Sequence, residues 1–92
     1  MSTTIPLSPG LANDRWKLKI RDRERLEPPH ATVIRGRQSW RWDLRAQRFM
    51  DSDPPPNLVP DDLVAILRTN HAHLVACWNA TYPNNPVDSE ED

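Results

Sequence analysis

Lys17, Lys19, Arg21, Arg23 and Arg25 recur at every second position, and Arg35, Arg37, Arg41 and Arg45 follow within twenty residues. On an extended strand a spacing of two projects Lys17, Lys19 and Arg21 from one side. Arg41 and Arg45 fall on the polar side of a second strand. If those strands share a sheet, their cations merge into one patch. Such a patch binds phosphate or carboxylate oxygens through charge-assisted, often bidentate hydrogen bonds. Its ligand is then nucleic acid or an acidic protein surface. The plainer alternative is a solvated outer face, partly neutralised by Asp22, Glu24, Glu27 and the acidic C-terminal residues.

His30 is the second candidate. Imidazole titrates near neutral pH and serves as general acid or base. With Arg21 and Arg23 stabilising phosphate charge, it would make a ribonuclease site. The competing reading is structural: the ring hydrogen-bonds backbone and fixes the strand entry after Pro28 and Pro29. That reading is favoured, because no second histidine or carboxylate is fixed beside His30 by spacing.

Two further sets are weighed. His73 and Cys77 lie four apart and share a helix face, with His71 close by. Zinc takes four ligands, so one pair predicts no metal site, and no cofactor is implied. Trp16, Trp40, Trp42 and Trp78 would stack on bases if exposed. Their alternation with charged residues assigns them to the core instead. Cys77 is the only cysteine of 92 residues, which excludes an internal disulfide and predicts a reduced, buried thiol.

The charge distribution is uneven. Residues 15–48 carry eleven Lys or Arg against four acids, a net of +7, while residues 49–92 carry one Arg against eight acids, a net of −7. Asp14 completes the formal charge of −1. The near-neutral total conceals a strong dipole that bears on partner choice.

The elements that position these residues follow from periodicity. Trp16, Leu18 and Ile20 alternate with Lys17, Lys19 and Arg21, predicting a strand apolar on one face and cationic on the other. Residues 22–27 form a charged connection. Ala31 to Ile34 is a second strand and Arg35-Gly36-Arg37 a turn, where Gly36 can take positive φ. Trp40, Trp42 and Leu44 mark a third strand, and Arg48 to Met50 a short fourth. Pro54-Pro55-Pro56 stiffens the following loop. Pro60, Asp61 and Asp62 suit a helix N-terminus. Leu63, Ile66, Leu67, Asn70, His71, Leu74, Val75 and Trp78 then form one helical stripe, predicting a helix from Pro60 to about Thr81. Its weakest point is Thr69-Asn70, where propensity favours a kink or break.

Residues 1–14 and 83–92 have the composition of disordered segments, the second acidic, which leaves 15–82 as a single domain. The predicted class is α+β: a three- or four-stranded antiparallel meander packed on one long C-terminal helix. So small a unit is marginal alone, and a homodimer or a protein partner would stabilise it. No basic-plus-apolar leader and no membrane-length apolar run occurs, so the expected location is cytoplasmic.

Two segments, LKIRDRERLEPPHATV at 18–33 and LVPDDLVAILRTNHAHLVACWNA at 58–80, resemble the small bacterial domain-of-unknown-function 4160 family. The shared features are a basic alternating strand, a charged turn, a Pro-Pro-His box and a Trp-ended helix with an Asn at its midpoint. The resemblance covers most of residues 16–80. This chain departs from it where a second box histidine is replaced by Thr32, where Arg25-Leu26-Glu27 replaces a histidine-bearing turn, and in the Pro54–Pro56 loop. The resemblance implies a toxin–antitoxin-like setting with a cognate small protein of the same operon. The functional expectation is therefore a non-enzymatic interaction protein of a bacterial or mobile-element system. It binds a partner protein, RNA or DNA through Lys17, Lys19, Arg21, Arg23, Arg25, His30, Arg41 and Arg45. The alternatives are the ribonuclease toxin built on His30 and a phage-encoded inhibitor of a host defence complex.

Overall fold

A computed structural model describes residues 3–21 and 27–87. The fold is α+β. Five antiparallel strands, β1 (Thr3–Ile5), β2 (Trp16–Ile20), β3 (His30–Arg35), β4 (Gln38–Asp43) and β5 (Arg48–Phe49), form a sheet in chain order. A short helix, α1 (Pro9–Asn13), lies between β1 and β2, while α2 (Asp61–Thr69) and α3 (His71–Thr81) follow the sheet.

The alternation read from sequence sets the sheet's two faces. Leu18 pairs with Val33, Val33 with Trp40, and Ala31 with Trp42, so these side chains share one face. All of them are buried, together with Trp16, Ile20 and Leu44. Leu63 and Leu67 of α2 and Leu74 and Trp78 of α3 complete that core. The opposite face carries the row Thr4–Lys19–Thr32–Arg41 and, beside it, Lys17–Ile34–Ser39. All four tryptophans are core residues, with Trp16 and Trp40 in contact at 5.4 Å between ring centroids.

Turn chemistry fixes the register. Gly36 takes a φ of 60° in the two-residue connection between Arg35 and Gln38. The β4–β5 corner is held by Asp43, whose carboxylate accepts from the backbone N–H groups of Arg45 at 2.7 Å and Ala46 at 2.9 Å.

Expectations for the two chain ends and the strand count need correction, while the helix divides where propensity placed its weak point. The N-terminal arm is not disordered over its described residues: β1 pairs with β2, and Ile5 and Leu11 are buried. The sheet accordingly has five strands rather than three or four. The long helix is broken into α2 and α3 at Asn70, whose side-chain amide donates to the Ile66 carbonyl at 3.0 Å and closes the end of α2. At the C-terminal end, Val87 packs into the core, so the ordered chain extends past Tyr82; residues 88–92 of the acidic tail lie outside the described residues. No helix among the described residues is long and apolar enough to cross a membrane.

Candidate functional site

The outer face of the sheet brings most of the anticipated cations together. Lys17, Lys19 and Arg21 project from β2 and its end, and none of them has an ion pair among the described residues. Arg23 and Arg25 lie outside the described residues. Arg45 stands apart from this face in the β4–β5 corner, where it is exposed and reaches the Pro86 carbonyl at 3.4 Å. Arg35 is also elsewhere, beside Asp14 and over the Trp16 ring at 5.4 Å.

Arg41 is on the outer face but is already engaged. Its Nε and Nη2 donate to both carboxylate oxygens of Asp51 at 3.0 and 2.7 Å, and Nη1 donates to Glu27 Oε1 at 2.8 Å. These bonds, from Asp51 first and Glu27 second, raise the Arg41 pKa further above its already high value. In return the Arg41 guanidinium holds the Asp51 carboxyl below its ordinary value. The result is a clasp across the sheet: β4 supplies the cation, and the segments before β3 and after β5 supply the anions. Arg41, expected in the binding set, is engaged here by two carboxylates of its own chain.

Beside the clasp lies a cleft of about 470 Å³, lined by Arg21, Glu27, Thr32, Arg37 and Gln38 and closed by Ser39, Arg41, Asp51, Asp53 and Pro54. Thr32, opposite both Lys19 and Arg41, forms its floor. Thr32 is buried and its hydroxyl makes no hydrogen bond. Sequence reasoning missed the site because its walls come from four separate segments, at Arg21, Glu27, 37–41 and 51–54. The one available signal was Thr32 itself, a polar residue standing inside a predicted strand.

His30 is 1% exposed. Its Nδ1 lies 2.9 Å from the Pro28 carbonyl, which can only accept, so Nδ1 carries the hydrogen. The ring sits 5.4 Å from that of Trp78, and Nε2 faces Glu27 Oε1 at 3.9 Å. The imidazole is not presented to solvent. These contacts are those of the structural alternative, a ring held on backbone after the two prolines.

The end of α3 reinforces that corner. The Tyr82 hydroxyl donates to the Arg21 carbonyl, Asn85 Nδ2 donates to the Glu27 carbonyl at 2.9 Å, and Trp78 Nε1 donates to the Asn85 carbonyl at 2.7 Å. The two ends of the charged 22–26 connection are thereby tied to one element. On the far side of α3, Cys77 is partly exposed rather than buried, and its Sγ lies 3.7 Å from His73 Nε2. No third His, Cys, Asp or Glu joins them to form a metal-ligating group among the described residues.

No protein-family model, no curated protein and no solved structure matches this chain.

Proposed function

We propose that this chain is a small non-enzymatic interaction protein whose outer sheet face docks an acidic protein partner. The observation that carries the reading is the mixed charge of that face. Lys17, Lys19 and Arg21 form a cationic line, and the neighbouring cleft adds Arg37 but also Glu27, Asp51 and Asp53. Glu27 and Asp51 offset Arg41, and Asp53 adds a further carboxylate that disfavours a phosphate backbone, whereas a protein surface offers N–H groups as well as acids. A mixed surface of this kind selects a partner by complementarity more than by total charge. The resemblance to the domain-of-unknown-function 4160 family supports a toxin–antitoxin-like setting, with the cognate small protein of the same operon as the partner.

The test is capture from a lysate of the source cells, with and without nuclease, comparing the natural chain with a Lys17→Glu, Lys19→Glu variant. The expected result is a protein retained after nuclease by the natural chain and lost by the variant. Recovery of nucleic acid alone, or capture unaffected by the charge reversal, would reject the reading. Association through exposed cations should also weaken as salt rises past the ~0.1 M at which screening reaches ~10 Å.

A further inference from the structure

The cations of β2 take their spacing from the strand that carries them. Lys17, Lys19 and Arg21 occupy alternate positions, so they repeat at ~6.8 Å and the line spans ~14 Å. Lys17 is exposed, and Lys19 and Arg21 are half-buried. Their neighbours on the outer face do not neutralise them. Thr4 of β1 stands opposite Lys19, and Ile34 of β3 stands opposite Lys17 with Ser39 of β4 beyond it, none of them charged. Glu27 and Asp51 are held by Arg41, and none of the three cations has an ion pair among the described residues.

A complementary partner brings carboxylates at the interval of this line. An extended segment with acids at alternate residues repeats ~6.8 Å by the same strand geometry and stays in step over all three cations. A helix presents the acids of one stripe about once per turn, ~5.4 Å apart, and falls ~3 Å behind over the two intervals. Single-stranded nucleic acid is the other extended polyanion, but it is held by aromatic stacking as well as by charge. All four tryptophans are buried in the core, so this face offers none of them to a base.

We propose that the outer face takes an extended acidic segment of its protein partner, a strand or tail with Asp or Glu at every second residue. Laid along β2, three successive acids of that segment meet Lys17, Lys19 and Arg21. The inference rests on the reading of this face as a protein-docking surface and adds the form of the partner.

The experiment is fluorescence anisotropy of the full chain at low salt with two labelled peptides of one composition, Glu-Ser-Glu-Ser-Glu-Ser and Glu-Glu-Glu-Ser-Ser-Ser. The alternating peptide should bind about threefold more tightly, the gain of one further exposed ion pair. Lys19→Gln, at the middle of the line, should weaken that peptide about threefold. Arg45→Gln removes the same charge at the β4–β5 corner, apart from this face, and should leave the affinity unchanged. Equal affinity for the two peptides, still weakened by Lys19→Gln, would overturn the extended register and leave the docking reading standing. Binding indifferent to both Lys17→Gln and Lys19→Gln would end both. Tighter saturable binding of a labelled oligothymidylate, weakened by Lys19→Gln, would give the face to nucleic acid and overturn the proposal.

Discussion

Arg41 shows how a residue chosen for one chemistry comes to serve another. Its position on the outer face follows from β-strand alternation and was legible from sequence. Its engagement was not, because Glu27 lies fourteen residues before it and Asp51 ten residues after it, separations at which no local rule brings side chains together. His30 is the opposite case: the two prolines before it already argued for a ring fixed on backbone, and the Pro28 carbonyl accepts that bond. The clasp gives a pH prediction. Asp51 has its pKa lowered from 3.8, chiefly by the hydrogen bonds from Arg41. A carboxyl depressed in the folded state contributes stability that is fully present above its unfolded pKa and lost as pH falls through its folded value. A carbon-13 titration of the Asp51 carboxyl should therefore show a midpoint below 3.8, and Arg41→Gln should move it back up. Both side chains are partly exposed, at 37% and 26%, and solvent screening limits the pair to roughly 1 kcal/mol or less. A midpoint unchanged by the substitution would mean that the clasp does not persist in solution.

At the scale of elements, period-2 alternation located β2 and β4, and the apolar stripe located the helical region, because each of these segments is long enough to repeat its pattern; β3 was read from the run Ala31 to Ile34, whose burial does not alternate. The break at Asn70 coincides with the weakest propensity of the stripe, and the amide bond to Ile66 is what turns weakness into a terminus. The β2–β3 corner was less legible, since its support comes from residues 78–85 at the other end of the folded chain. Asn85 bridges two roles there: its side chain holds the Glu27 carbonyl, and its own carbonyl receives the Trp78 indole. Replacing it with Ala leaves the Glu27 carbonyl without that donor and should cost about 1–2 kcal/mol, read by urea denaturation. The loss should be local in its dynamics as well, with amide exchange accelerating at Glu27 and His30 before it does in β4. Uniform acceleration across the sheet would mean that the corner is not a separate unit of stability. The same substitution should also disturb the cleft, because Glu27 is one of its walls.

At the scale of the whole molecule, the split charge of the sequence is partly undone by folding. The basic half forms the sheet, and Asp51 and Asp53 of the acidic half return to its outer face, one bound to Arg41 and both lining the cleft. The N-terminal arm makes the corresponding contribution to the core. A three-residue strand is too short to reveal alternation, and Pro9 with Gly10 reads as a breaker, so neither β1 nor α1 was visible in the sequence. Yet Ile5 and Leu11 are buried, β1 pairs with Leu18, Lys19 and Ile20 of β2, and Asp14 receives Arg35 through its backbone carbonyl at 3.1 Å. Burying two such side chains is worth about 1.5–3 kcal/mol each relative to leaving them exposed. Deleting residues 1–14 should therefore lower the unfolding free energy by roughly 3 kcal/mol or more, a large fraction of what so small a domain possesses. It should also convert β2 into an edge strand whose unpaired backbone groups promote association. Urea denaturation together with sedimentation of the shortened chain checks both effects. A truncated protein with unchanged stability would mean that the arm does not pack in solution, and the four-stranded expectation from the sequence would be restored.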